Sequence, residues 1–220
     1  MKQLAAALLS VFAIASAQAT VIVSNYTQYN QGYTVSNTDL LQTHLKSSSF
    51  TGGTFSAEGS NGVAAFTNGV FGAQGNPGNG ESATGNNNSA TFTFDRAYNL
   101  TSIDSYAGWD AFRGGQSYSV FYATFANPST YILLASVYND ATGSGIGNTN
   151  TRANIVNNSG FLATNVGSLR FDFNTNLNSG YNGYLEIDVQ GSAVVPEPGS
   201  IALVGLGLAG LAAFARRKQA

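Results

Sequence analysis

Residues 184–190 have the sequence Tyr-Leu-Glu-Ile-Asp-Val-Gln, and this alternation of apolar and polar residues decides the fold class. Successive side chains of an extended strand point to opposite faces, so a period of two marks a strand with one buried face. The pattern predicts the following orientation: Leu185, Ile187 and Val189 inward, and Glu186, Asp188 and Gln190 outward.

Four other segments share this strand character, with alternating or β-branched and aromatic residues between turns rich in Gly, Asn and Ser: 90–94, 117–125, 130–138 and 168–174. A helix is predicted only over Thr38–Leu45, with Thr38 or Asp39 as its N-cap. Many strands with so little helix predict an all-β domain, an antiparallel β-sandwich of the jelly-roll type.

Two segments rich in glycine and asparagine are predicted to be loops. Residues 68–89 form a long polar stretch, and Gly143–Gly147 is a shorter cluster of glycines. Neither segment continues into Gly-Lys-Ser/Thr or leads from a strand into a helix, so neither resembles a phosphate-binding loop.

The N-terminus has the three parts of a secretory signal peptide. Met1 and Lys2 give a positive start, an apolar stretch follows, and Ala17-Gln18-Ala19 places small residues where a signal peptidase recognises them. We therefore expect residues 1–19 to be a cleavable signal peptide and residues 20–192 to be the exported domain.

The C-terminus also has three parts, in the order Val195-Pro196-Glu197-Pro198, an uncharged apolar run over 201–215, and Arg216-Arg217-Lys218. As a helix, a run of this length reaches only ~22 Å, against a hydrocarbon core of ~30 Å. We expect a single short transmembrane helix over 201–215, with the basic residues on the cytoplasmic side.

This tail, residues 193–220, resembles the PEP-CTERM sorting signal of Gram-negative bacteria. The resemblance implies an exosortase-type processing enzyme as partner and export in organisms that secrete extracellular polysaccharide. It also implies a transient inner-membrane intermediate, followed by delivery to the cell surface or the extracellular matrix.

Composition excludes some classes of partner. Residues 20–192 contain five basic and ten acidic residues, a net charge of −5. Nucleic-acid binding needs clustered Lys and Arg, so we expect none here. The chain has no cysteine, so the domain must fold without disulfide bonds.

Four segments of the domain together resemble discoidin-like, or galactose-binding-domain-like, jelly rolls: Ser36–Gln42, Thr67–Gly72, Leu100–Trp109 and Gly180–Gly191. The chain departs from that family by having Asn68 where an Asp is common and by lacking the usual terminal cysteines. The resemblance implies a structural calcium ion, with Glu186 of the last strand as its carboxylate ligand and Asp39 as a possible second ligand.

Catalytic residues are scarce. The chain has one histidine, His44, and no Gly-x-Ser-x-Gly motif, so we expect His44 to be structural rather than part of a triad. Two carboxylate pairs remain as candidates for acid–base chemistry: Asp104 with Asp110, and Glu186 with Asp188. The alternative for the second pair is an ion pair across strands with Arg170. We predict that the protein is not an enzyme.

The best candidate for a ligand site is Tyr106, Trp109, Asp110 and Arg113, an aromatic platform with hydrogen-bonding side chains beside it. The alternatives are that Trp109 belongs to the core and that Arg113 only neutralises Asp110. The sequence thus predicts an exported, non-catalytic module that binds carbohydrate or exopolysaccharide. The alternatives are a structural matrix protein without a discrete ligand site or, less favoured, a hydrolase.

Overall fold

The computed structural model describes residues 20–57, 59–72, 80–109, 113–141, 148–173, 180–195 and 206–207. Within these ranges the chain forms nine strands, one short α-helix and one 3-10 helix. In chain order they are β1 (Val21–Tyr29), α1 (Leu40–Thr43), β2 (Leu45–Thr51), a 3-10 helix (Gly62–Phe66), β3 (Ser82–Thr84), β4 (Asn88–Gly108), β5 (Gln116–Thr124), β6 (Asn127–Asn139), β7 (Thr149–Asn157), β8 (Ala163–Phe173) and β9 (Asn182–Ala193).

Strand β4 belongs to two sheets at once. Its first half pairs with β2 and β8, which gives a first sheet in the order β2-β4-β8-β5-β6. Its second half pairs with β7 and β9, which gives a second sheet in the order β3-β9-β4-β7-β1. Every pairing is antiparallel, so the prediction of an all-β antiparallel sandwich is confirmed.

The passage of β4 between the sheets coincides with a break in its pairing. The register with β8 shifts between Thr93 and Tyr98, and such irregularities bend a strand and increase its twist. Two contacts stabilise the bend: the Asp95 amide donates to the His44 carbonyl (3.1 Å), and the Tyr98 hydroxyl donates to the Asp95 carboxylate (2.7 Å).

The inner faces of the two sheets enclose one apolar core. Phe92 and Phe171 of the first sheet and Ile103 and Ile155 of the second are all inaccessible to solvent and belong to the same cluster. Phe66 of the 3-10 helix closes one end of this core. Burying each such side chain contributes ~1.5–3 kcal/mol, so packing of the sheets stabilises the fold without a disulfide bond.

The single predicted helix is shorter than expected. Asp39 is its N-cap, since the Asp39 carboxylate accepts from the Leu41 amide (2.7 Å), but the helix ends at Thr43. Leu45 is not helical because it begins β2, where its pairing with Phe94 of β4 replaces the intrahelical hydrogen bonds.

The prediction that 68–89 is one long loop is wrong at its C-terminal end. Ser82–Thr84 forms β3, which pairs with β9, and β4 begins at Asn88. The backbone hydrogen bonds to β9 stabilise this short strand although its side chains, Ser-Ala-Thr, are small and bury little apolar surface. The predicted loop Gly143–Gly147 lies outside the described residues.

The predicted signal peptide and most of the sorting tail also lie outside the described residues. In the ranges that the structure describes, no helix is long and apolar enough to cross a membrane.

Candidate functional site

The two acidic side chains of β9 are buried although the alternation predicts them to face outward, whereas Gln190 of the same face is exposed as predicted. Glu186 is fully inaccessible to solvent and Asp188 is 4% exposed. The reason is that α1 packs on β9, while backbone groups of Ser36 and Gly69 hydrogen-bond these two carboxylates and so cover them.

Neutral donors bind the carboxylates of β9. Glu186 accepts from the Gly69 amide (2.7 Å) and from the Gln42 side chain (3.0 Å). Asp188 accepts from the Ser36 amide (2.8 Å) and the Tyr106 hydroxyl (3.3 Å).

Asp39 completes this acidic cluster, which consists of Asp39, Glu186 and Asp188. Its side chain is buried and accepts from the amides of Leu41 (2.7 Å) and Val189 (3.2 Å). Asp39 thereby joins the start of α1 to β9. The same carboxylate caps the helix and lies beside the acids of β9.

Burial raises the pKa of all three acids. For Glu186, burial and then the negative charges of Asp188 and Asp39 raise the pKa to about 8, although the Gly69 amide opposes the rise. Burial likewise raises the pKa of Asp39 and of Asp188 to about 6. The nearby guanidinium of Arg152 does not compensate them, because it binds Asp104 (2.7 Å).

Three buried oxygens at this cluster accept no hydrogen bond from the described residues: Asp39 Oδ2, Asp188 Oδ1 and Gln42 Oε1. Oxygen atoms without donors in a negatively charged site fit a hard cation such as Ca²⁺. However, no three acidic or histidine side chains of the described ranges converge on one metal position. A cation at Asp39 and Glu186 would therefore need backbone carbonyl oxygens as further ligands.

The resemblance to discoidin-like jelly rolls implies Asp39 and Glu186 as metal ligands, but it does not place Asp188, Gln42 or Ser36 in the cluster. The Glu-Ile-Asp spacing was the available signal for Asp188, since residues two apart on a strand share a face. No pattern in the sequence indicates the contribution of Ser36, because a backbone amide makes it.

The predicted ligand residues lie at the end of β4, where two of them are buried. Tyr106 and Trp109 are each 3% exposed, and the Arg113 guanidinium lies 4.6 Å from the centre of the Trp109 ring. A Cβ atom at Gly183 would lie 2.9 Å from the Trp109 ring, so the indole packs directly on β9. Asp110 lies outside the described residues, and a ligand site here stays a prediction.

Two other candidates have structural partners. His44 lies 3.3 Å from Asp95 and packs on the ring of Tyr98, at the end of α1. Arg170 binds Asp172 of its own strand through two hydrogen bonds of 3.0 Å each. The alternative in which Arg170 pairs with Glu186 or Asp188 is wrong because β8 lies between β4 and β5, not beside β9.

Replacing Trp109 separates the core interpretation from the platform interpretation. Since the indole is buried, Trp109→Ala should lower the free energy of unfolding by ~3–5 kcal/mol, as large-to-small core substitutions do. Urea denaturation measures this loss, and Tyr138→Ala is the control because Tyr138 is 62% exposed. A loss for Trp109→Ala no larger than for Tyr138→Ala would contradict the core interpretation.

The raised pKa values predict how stability depends on pH. Between pH 4.5 and 8 the folded protein keeps the Glu186 proton that the unfolded chain releases, so stability should fall as pH rises through this window. The expected loss is up to ~1.4 kcal/mol per pH unit for each retained proton.

Urea denaturation in a chelating buffer across this pH range tests the prediction. Glu186→Gln should show a flatter dependence, because its amide is neutral at every pH and the Gln42 amide can turn to accept from it. Wild-type protein that becomes more stable from pH 5 to 8 in the chelator would rule out the proposed titration.

Comparison with known proteins identifies the tail. Residues 194–218 match the model of the PEP-CTERM protein-sorting motif. No curated protein matches the chain.

Several solved carbohydrate-binding modules are similar in structure at low identity. CBM32-1 from a family 31 glycoside hydrolase of Clostridium perfringens has a TM-score of 0.45 and 10% identity, over 69% of this chain and 99% of that one. The CBM32 of AlyQ in complex with 4,5-unsaturated mannuronic acid has a TM-score of 0.42 and 13% identity, over 66% and 94%. A pectin-binding module has a TM-score of 0.39 and 13% identity, over 69% and 94%.

The match at the C-terminus lies immediately after the last strand of the sandwich, since β9 ends at Ala193. The chain is therefore a β-sandwich followed directly by a PEP-CTERM protein-sorting motif at residues 194–218.

Proposed function

We propose that this is an exported, surface-directed protein whose β-sandwich binds extracellular polysaccharide without catalysis. The observation that carries the proposal is the direct junction between a domain with its own core and a sorting motif. The motif directs the protein to the cell surface, and an exosortase-type enzyme is its processing partner. In this proposal the apolar run over 201–215 holds the chain in the inner membrane until that step.

The surface chemistry of the domain supports a polysaccharide ligand. Sugars are bound by aromatic rings that stack on their apolar faces and by polar groups that hydrogen-bond their hydroxyls. Several aromatic side chains are 42–62% exposed: Tyr26, Tyr29, Phe125, Tyr138 and Phe161. The domain also carries few charges and is rich in the hydroxyl and amide side chains of Ser, Thr and Asn, which can hydrogen-bond sugar hydroxyls.

Binding is favoured over catalysis because His44, Glu186 and Asp188, candidate catalytic groups that the structure describes, are engaged structurally. Glu186 and Asp188 are covered by α1 and by loop backbone, so a substrate does not reach them without local opening. His44 is paired with Asp95. We place the proposed sugar-binding site at the end of β4, where Arg113 is half-buried and stacks on Trp109.

Retention on immobilised polysaccharides tests the proposal. The full chain, kept soluble in mild detergent, should be retained by at least one acidic or neutral polysaccharide and eluted by the free polymer. Heat-unfolded chain is the control for non-specific adsorption. If the folded chain is retained by none of a broad panel, the structural matrix protein without a ligand site replaces this proposal.

We further propose that Asp39 and Glu186, together with loop carbonyl oxygens, hold a structural calcium ion. Binding to the folded state alone stabilises it by RT ln(1 + [Ca²⁺]/Kd). Because the cation competes with protons for these acids, millimolar calcium should raise the melting temperature more at pH 8 than at pH 5. EDTA should reverse the effect.

Asp39→Asn and Glu186→Gln should each abolish the calcium-dependent increase in melting temperature. Asp172→Asn is the matched control, since this carboxylate lies on the first sheet and is paired with Arg170. An equal increase in the control and in both site variants would remove the calcium proposal and leave the polysaccharide proposal standing.

A further inference from the structure

A pocket of about 250 Å³ lies on the outer face of the first sheet, away from both the acidic cluster and the end of β4. Its floor includes Thr93 of β4 and Ser168 of β8. Its walls include Lys46 of β2, Phe125 at the tip of the β5–β6 hairpin and Tyr131 of β6.

Backbone contacts fix the hairpin tip above β8. The Phe125 amide donates to the Asn165 carbonyl (2.8 Å). A Cβ atom at residue 167 would lie 2.6 Å from the Phe125 Cα. This close approach therefore requires glycine at position 167. The wall that bears Phe125 is therefore positioned by the fold rather than by a ligand.

Side-chain contacts orient the Tyr131 wall. The Tyr131 hydroxyl lies 3.1 Å from the Ser168 hydroxyl, and the Arg170 guanidinium lies 4.6 Å from the centre of the Tyr131 ring. Arg170 is in turn fixed by two hydrogen bonds to Asp172. Arg170 therefore packs against the Tyr131 ring, while Asp172 neutralises its positive charge.

Lys46 forms no such ion pair with any residue that the structure describes. In the part of the chain that the structure describes, the ion pairs of Arg96, Arg152 and Arg170 are with Asp95, Asp104 and Asp172, and none includes Lys46. The carboxylate of Asp95 is already shared by His44, Tyr98 and Arg96. The pocket thus presents one uncompensated positive charge in a domain of net charge −5.

We propose that this pocket binds a carboxylated sugar, a uronic acid unit of an acidic polysaccharide. The Lys46 ammonium pairs with the carboxylate, and the half-exposed ring of Phe125 stacks on the apolar face of the sugar. The hydroxyls of Thr93, Tyr131 and Ser168 supply donors and acceptors for the sugar hydroxyls.

The size and position of the pocket fit one unit of a longer chain. Its volume is below the ~300–1,000 Å³ of pockets that enclose drug-sized ligands. It is an open depression on the sheet, so the neighbouring units of a polymer extend along the sheet face. This inference rests on the proposed polysaccharide binding. It adds a second binding site and specifies that the ligand is negatively charged.

Titration calorimetry on the full chain in mild detergent tests the assignment with two matched ligands, an oligogalacturonate and its methyl ester. The two ligands differ in charge but share their ring and hydroxyls. Wild-type protein should bind the acid more tightly, by about five-fold, as a solvent-exposed ion pair predicts. Rising salt should remove this difference.

Lys46→Gln should bind both ligands with the affinity of wild type for the ester, because only the ion pair is lost. Phe125→Ala should weaken both ligands alike, because stacking does not depend on charge. Arg96→Gln is the control for lost positive charge, since Arg96 does not line the pocket. Unchanged melting temperatures establish that the variants fold.

The outcomes separate this inference from the proposed function. If wild type binds the acid but Lys46→Gln and Phe125→Ala bind it equally well, the pocket is wrong and polysaccharide binding stands. If wild type prefers the ester, the charge assignment is overturned. If the chain binds neither ligand but is retained by a neutral polysaccharide, this inference fails and the proposed function survives. If it binds no polysaccharide at all, both fail.

Discussion

The structure depends on one constraint, the continuity of β4. This strand of 21 residues pairs with β2 and β8 in one sheet and with β7 and β9 in the other, so both sheets are aligned on the same backbone. Its inward side chains, among them Phe92 and Ile103, meet in a single core. Without the bend between Thr93 and Tyr98, the two inner faces would lie in one plane and remain exposed.

The two halves of β4 also create two different polar environments. On the second sheet, the outward acids of β9 are covered by α1 and by loop backbone, which raises their pKa values and leaves oxygens without donors. On the first sheet, the outward face next to Thr93 stays open, and Lys46 has no ion pair within the described part of the chain. The cation site and the anionic-sugar site that we propose therefore lie on separate faces of one domain.

The sequence predicts the sheets better than the sites. Alternation identified part of β4, β8 and β9 because their inner residues are apolar, but it missed β2, where Lys46-Ser-Ser-Ser49 has no apolar period. The buried face of β9 was also beyond sequence reasoning, since α1 and distant backbone amides cover it. Likewise, the Lys46 pocket requires a hairpin tip that only Gly167 allows to approach, a contact made between residues distant in sequence.

Native-state hydrogen exchange along β4 tests the central claim most directly, because it measures whether the two sheets open together. If β4 joins them into one unit, the amides of its first half, before Thr93, and of its second half, after Tyr98, should exchange through the same global opening. Their exchange free energies should then be equal and should fall together with added denaturant. Exchange of one half through a lower-energy opening while the other half stays protected would contradict the account.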